Sequence, residues 1–450
     1  MAMDSEAIIS HPLWWWILGW ETFLVAMSFV TWRLIGINRL NTFSLFFPLV
    51  LLTNGILLPF SRNINSVISG LEIGDVAFGR FTIGVALFYL ALPVGIILAN
   101  SCWKTRIRFQ LVENTCRWPN GSFMFLCAVI GLSGVYLAII IRDGLFLNPF
   151  LLIRGFGSYE NYALHRYNFA AATSGARYFL YNKLPYAIAP MAVIILWNWK
   201  KTNLLVRISG LVLISVVLTQ TGHKLPLVVL LCTCLLSGYA LKNNFSISPN
   251  LIAKGLGLFA AIVFVIIPFF YMGQGTGEYS EALWWSIERV FGESYRALQL
   301  YFYTYPDFHA HLGGASQQTI AALMGTENFL PTSIYIPTVI LGISNTSYPA
   351  LFISDAWADF GFMGIIFSSI LCGGSLQIYN IWFFRKPKRS LDEAALLIAV
   401  SVSAVHMTYC NIITAFSTYG LGVYILIYFL IRRIDFRKNP AYEMSADIST

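Results

Sequence analysis

Residues 351–371 read LFISDAWADFGFMGIIFSSIL. The second half is apolar and uncharged, and the apolar character runs on to about residue 382. A helix needs a stretch of that length to cross a hydrocarbon layer. The first half carries two acids, Asp355 and Asp359, four residues apart and so on one face of a helix. Carboxylates at membrane depth are costly, and they usually face a partner or a wet cavity. The segment therefore predicts a membrane helix with a polar head.

Composition extends that reading to the whole chain. Of the 450 residues 57% are hydrophobic, 16% aromatic and only 11% charged, and the mean hydropathy is +0.67. A soluble domain carries about 25% charged residues, so a water-soluble globule is excluded. Apolar runs fall near residues 12–32, 43–60, 82–100, 122–141, 178–198, 204–220, 224–241, 251–271, 350–382, 394–412 and 417–432. They predict an all-α, polytopic membrane protein of about eleven spans, a single membrane domain over residues 1–450 without a soluble appendage. The first basic residue, Arg33, follows the first apolar run, whereas a cleaved leader begins with positive charge, so that run is expected to be retained. The seven cysteines show no CxxC pair and no metal-type spacing.

The basic residues sort by side. Nineteen of the 29 Lys and Arg fall in alternate connections, among them Lys104, Arg106, Arg108, Lys200, Lys201, Arg385, Lys386, Lys388, Arg389, Arg432 and Arg433. By the positive-inside rule that side is cytoplasmic, so the N-terminus is expected outside and the C-terminus inside. The net charge of +8 is then mostly an orientation signal, not a nucleic-acid footprint. Two larger outer loops result, 142–177 and 272–349.

The outer loops hold the residues that can carry chemistry. Arg142, Arg154, Arg166, Arg177 and Lys183 gather in and beside the first loop, against the topological bias, with only Asp143 and Glu160 as acids. Arginine grips phosphate through two parallel hydrogen bonds, and Gly-Phe-Gly after Arg154 exposes backbone N–H groups. The plainer reading is contact with lipid headgroups. In LTQTGHKLPLVVLL, residues 218–231, His223 and Lys224 lie at a turn between two apolar runs, where Lys224 either snorkels outward or faces an anion. In the long loop Arg289 and Arg296 are seven apart, on one helical face with Glu293 between them, and read as ion pairs or as cations facing a ligand. Then YPDFHAHLGGASQQTI, residues 305–320, sets Asp307, His309 and His311 beside a Gly-Gly turn. An isolated HxH is short of the four ligands of a structural zinc site, so the histidines read as base, phosphate contact or plain loop residues. Asp355 and Asp359 fit an arginine partner, a general base, or both. No phosphate-binding loop, zinc-protease or dinucleotide signature appears in the chain.

DAWADFGFMG (355–364), YPDFHAHLGG (305–314), TGHKLPLVVLL (221–231) and RDGLFLNPFLLIRGFGSY (142–159) resemble segments of the Wzy-type polymerases, which join O-antigen and exopolysaccharide repeat units at bacterial inner membranes. Many relatives read Gly-x-Arg where this chain has Lys224, which lacks the planar fork of arginine. The resemblance implies a GT-C-like helical membrane fold and a substrate on undecaprenyl pyrophosphate. It implies transfer of the growing chain to a sugar hydroxyl of an incoming lipid-linked unit. No nucleotide sugar or other cofactor and no metal is implied. The implied partners are a flippase and a chain-length regulator, with no nucleic acid. On that reading Arg154, Arg166, Arg177, His223, Lys224, Arg289, Arg296 and His309 bind pyrophosphate or sugar, and Asp355, Asp359 and His311 are the candidate bases. An O-antigen ligase shares the donor and the outer-face site. A transporter or flippase is the reading from another class, and it predicts internal repeats that the sequence lacks.

Overall fold

The structure is a computed structural model and describes residues 11–36, 39–56, 58, 75–102, 120–149, 164–165, 169, 183–199, 203–220, 225–272, 278–316, 320–321, 324–325, 330–343, 347–385 and 390–438. Among these residues there is no β-strand beyond a single bridge between Arg39 and Ser246. The helices, in chain order, are α1 (His11–Ile35), α2 (Phe43–Leu51), α3 (Asp75–Cys102), α4 (Asn120–Arg142), α5 (Ala189–Asn198), α6 (Leu204–Thr219), α7 (Leu225–Lys242) and α8 (Pro249–Ala261). They continue with α9 (Ile267–Met272), α10 (Tyr279–Ile287), α11 (Glu293–Thr304), α12 (Thr332–Tyr335), α13 (Ile353–Arg385), α14 (Leu391–Ala404), α15 (Ile412–Ser417) and α16 (Val423–Lys438).

Every apolar run read from the sequence carries helix over at least part of its length. Among the described residues five stretches are long and apolar enough to cross a membrane: Val76–Cys102, Gly121–Arg142, Asn250–Met272, Ile353–Arg385 and Leu391–Thr408. Four more apolar helices among the described residues are shorter. Outward-facing Leu18, Val25, Phe29, Val135, Leu256, Phe264 and Phe367 are exposed. A soluble monomer rarely shows such apolar area, whereas lipid tails cover it without cost. The chain is a helical membrane protein.

The core is built on close crossing of α3 and α13. A side-chain carbon added at Gly95 would lie 2.1 Å from the Ile370 carbonyl oxygen, and one at Gly373 would lie 2.3 Å from that of Leu92. Only glycine admits backbone contact of this kind, a usual device between membrane helices. Gly121 does the same for α4 against the Ile431 carbonyl of α16. Around the crossing pack Phe46, Phe81, Phe88, Tyr89, Phe302, Phe352 and Ile365, all buried.

Polar groups mark the two ends of α13. Near its C-terminal end Asn380 accepts from the Thr42 backbone at 3.0 Å and donates to Gln377, which donates to Asn100 at 2.8 Å. Beside it Arg432 of α16 pairs with Asp392 at 2.7 Å, and Ser390 with Glu393 closes a capping box on α14. The other end carries Asp355, Asp359 and the loop between α11 and α12. Phe362 to Asn380 spans about 27 Å at 1.5 Å per residue, close to the thickness of a hydrocarbon core.

Candidate functional site

Gly361 makes the site. Its backbone sits at φ 60°, ψ −144° inside α13, a region closed to residues with a side chain. The helix therefore breaks after Phe360 and restarts in a new direction. Gly364 completes the turn, since a carbon added there would lie 2.0 Å from the Ala356 carbonyl oxygen. Asp-x-x-x-Asp-Phe-Gly-x-x-Gly is thus a two-turn helix, a break and a close return.

A break leaves carbonyls without helical partners. The loop at 311–316 supplies them. Leu312 N donates to Ala358 O at 2.9 Å and Gly313 N to Asp359 O at 3.1 Å. Gly313 and Gly314 hold positive φ, 60° and 106°, which the loop needs to wrap the helix end. The Asp359 carboxylate then accepts from Ser316 N at 2.9 Å and Ser316 Oγ at 2.6 Å. Asp355 accepts from Thr332 Oγ1 and from Asn411 Nδ2 at 3.1 Å.

The two aspartates were expected to suit an arginine partner or a base. Among the described residues neither pairs with an arginine. Each is buried and takes neutral donors instead. Charge-assisted bonds of this kind contribute about 1.5–3 kcal/mol each, enough to hold three outer segments on one helix head. Asp359 fixes 311–316, and Asp355 fixes the start of α12 and the turn before α15. Both are anchors first.

His311 is different. It is exposed. Its Nδ1 lies 3.3 Å from the Ala358 carbonyl oxygen, which can only accept, so Nδ1 carries the proton and Nε2 the lone pair of the neutral ring. The ring stands edge-on to Trp357 at 5.4 Å, and Trp357 is held by Tyr305 O at 3.1 Å and stacked on Phe302 at 4.5 Å. The break at Gly361 leaves room for it: a carbon added there would be 3.3 Å from His311 Nε2. His309 instead sits between the rings of Tyr305 and Tyr335, at 5.7 and 5.4 Å. Burial, then the Asp355 charge, pushes the Tyr301 phenol well above its ordinary value. Burial, then Tyr335, Asp355 and Asp359, raises that of Tyr305. Both remain neutral hydroxyls.

Arg289 pairs with Glu293, and Arg296 with Glu288. A π-helical turn, Glu288–Gly292, precedes α11. The cations expected to face a ligand are therefore each balanced by a glutamate. Arg154, Arg166, Arg177, His223 and Lys224 lie outside the described residues. Among the described residues no group of three or more His, Cys, Asp or Glu is placed to hold a metal ion.

Several residues of this end were not singled out from the sequence. Arg80, on α3, pairs with Asp307 at 2.8 Å. Its signal was an arginine at the head of an apolar run. Asn411 had no signal, because its partner is 56 residues away. His406 is buried beside Tyr186, Tyr409 and Tyr419, with ring centroids 5.7, 5.4 and 4.3 Å away. Lys183, which the sequence did single out, donates to Ser417 O and, at 3.2 Å, to Thr418 Oγ1, tying the head of the α5 segment to the end of α15. Comparison of the chain with known protein families, with curated proteins and with solved structures gives no match, so the reading of this site rests on its own chemistry.

Proposed function

We propose that the chain is a membrane glycosyltransferase that joins lipid-linked oligosaccharide repeat units, a polysaccharide polymerase of the Wzy type. The observation that carries this reading is His311: an exposed imidazole whose Nδ1 lies 3.3 Å from the Ala358 carbonyl oxygen, seated on the broken head of a membrane helix. A base there meets substrate at the membrane surface. The donor would be an oligosaccharide on undecaprenyl pyrophosphate, already activated by its leaving group, so no nucleotide or other cofactor enters. His311 Nε2 takes the proton of the acceptor hydroxyl as that oxygen attacks the anomeric carbon. The bond from that carbon to the pyrophosphate oxygen breaks, and cations stabilise the departing anion. Arg154, Arg166, Arg177, Lys224 and His223 are the candidates for that task.

In this reading about eleven helices cross the bilayer in a GT-C-like arrangement. The N-terminus lies in the periplasm, the C-terminus in the cytoplasm, and the site faces the periplasm of a bacterial inner membrane. A flippase supplies the lipid-linked unit, and a chain-length regulator is the expected partner. Support comes from the side-by-side placement of the DAWADFG and HAHLGG segments, the two motifs that carry the resemblance.

The test is polymerisation by the purified protein of a lipid-linked repeat unit, with no nucleotide added. A ladder of products, abolished in His311→Ala while the variant still folds, supports the reading. Transfer of one preformed chain to a lipid A core without any ladder replaces it with a ligase. Flipping of the lipid-linked unit in liposomes, with no new glycosidic bond, replaces it with a transporter.

A further inference from the structure

α1 carries one acid in its interior. Glu21 is the only Asp, Glu, Lys or Arg between Glu6 and Arg33, and it stands at the middle of the apolar run 12–32. Leu18, Val25 and Phe29 of the same helix are exposed, on the side that lipid covers. Glu21 is partly buried, and its Oε1 is fully covered and has no hydrogen-bond partner among the described residues. No basic side chain among the described residues pairs with it. Its surroundings are the contact of α1 with α2 and α3. Trp20 donates to the Gly55 carbonyl at 2.9 Å, in the π-helical turn Leu52–Ile56. Neither that turn nor α2 holds a charged residue. From α3, Tyr89 is the titratable group within reach of the Glu21 charge, but its hydroxyl is directed to Val50 O at 3.4 Å. An ionised carboxylate there has lost its water and found no donor, a costly state in a membrane. The neutral acid escapes that cost by holding a proton.

The same helix shows how a proton reaches it. Thr22 bonds its hydroxyl to Leu18 O at 2.7 Å, the usual refuge of a helical hydroxyl. Ser28 and Thr31 are buried and do not: neither hydroxyl has a partner among the described residues. Ser28 lies two turns beyond Glu21 on the same face, and Thr31 almost one turn further. From Glu21 to Thr31 is about 15 Å at 1.5 Å per residue. The path leads towards the end of the bundle that holds Asn380, since Trp32 packs on Phe47 at 6.3 Å and Thr42 bonds to Asn380 at 3.0 Å. Buried hydroxyls without protein partners are met by ordered water. A hydroxyl both donates and accepts, as proton passage requires.

We propose that Glu21 is a proton-binding site inside the membrane, reached from the Asn380 end of the bundle through Ser28 and Thr31. The ligand is the proton itself, delivered by water, and its occupancy follows the pH on that side. This goes beyond the glycosyltransferase reading and does not rest on it.

The full chain in lipid nanodiscs is treated with dicyclohexylcarbodiimide, which attacks protonated carboxyls in apolar surroundings. The carboxyl oxygen bonds to the carbodiimide carbon, the proton passes to its nitrogen, and the adduct rearranges to a stable N-acylurea that mass spectrometry places on a peptide. Wild type is labelled at Glu21, less as the pH is raised, and a water-soluble carbodiimide leaves that residue unmodified. Glu21→Gln, the uncharged isostere, melts as wild type and loses the label. Infrared spectroscopy then follows the protonated-carboxyl band that Glu21→Gln removes. Exchange of its proton for deuterium slows about tenfold in Ser28→Ala and Thr31→Val, the effect of one missing hydrogen-bonded link. Both variants keep the wild-type melting temperature, because their hydroxyls have no protein bond to lose. Absence of label from Glu21, labelling that ignores pH, protection by sodium at constant pH, or collapse of Glu21→Gln as an ion-pair partner would collapse each overturns the proposal. Unchanged deuterium exchange in both hydroxyl variants overturns it as well.

Discussion

Ser316 grips Asp359 twice, through its backbone N–H at 2.9 Å and its hydroxyl at 2.6 Å. One serine therefore docks the His311 loop onto the broken helix. If the carboxylate is an anchor, its loss is a stability effect before it is a catalytic one. Asp359→Asn is expected to lower the thermal stability of the detergent-solubilised protein by about 1–3 kcal/mol, because the amide turns a donor towards a donor. Ser316→Ala should cost less, since the backbone bond survives. The double variant should fall short of the sum by about 0.5–3 kcal/mol. Strict additivity in a thermal denaturation series would refute the anchor.

His311 carries the opposite expectation. It is exposed, and among the described residues its ring makes one hydrogen bond, at 3.3 Å. His311→Asn keeps an N–H near the position of Nδ1 and removes the basic nitrogen. Stability should change by less than about 0.5 kcal/mol, while kcat falls about 10²–10⁴-fold. Equal loss of folding and of turnover would make His311 a packing residue.

Gly361→Ala tests the break. The φ of 60° with ψ −144° is strained for alanine, and the new methyl would face His311 Nε2 at 3.3 Å. A cost of about 1–3 kcal/mol is expected, together with displacement of the histidine. Activity should drop more than stability alone explains. A fully active, fully stable alanine variant would mean that the helix does not need the break.

The crossing of α3 and α13 makes a sharper stability forecast. At Gly95 a side chain would sit 2.1 Å from a backbone oxygen, which cannot move aside as a flexible side chain does. Gly95→Val should abolish recovery of monodisperse protein in size-exclusion chromatography. Gly79→Ala, on the same helix with nothing within 4 Å, should elute as wild type. Similar behaviour of the two would remove the crossing from the core.

The helices were legible because an apolar layer imposes one requirement on each segment by itself. Residues 82–100 and 361–382 are long and uncharged enough to satisfy their backbone only as helix, and helices Asp75–Cys102 and Ile353–Arg385 lie there. The helix break was written in part, as a Phe-Gly-x-x-Gly after two acids. Its cause was not: Gly361 reads as a break only beside the carbonyls that Leu312 and Gly313 reach. The arginines of the long loop and the i,i+4 pairing of Arg289 with Glu293 could be read from spacing, but the pairing of Arg296 with Glu288, eight residues back across the π-helical turn, could not.

That the chain is helical, that it carries membrane-crossing apolar segments, and which polar residues stand at their ends could all be read from the order of its amino acids. Those are local properties, set by the apolar length and charge of each segment. Which of these residues meet is a matter of the folded packing. Arg80 finds Asp307 across 227 residues, Asn411 finds Asp355 across 56, and His311 finds Ala358 across 47. Such pairings follow from how rigid helices cross and from where glycine lets their backbones touch, and no short stretch of sequence contains that geometry.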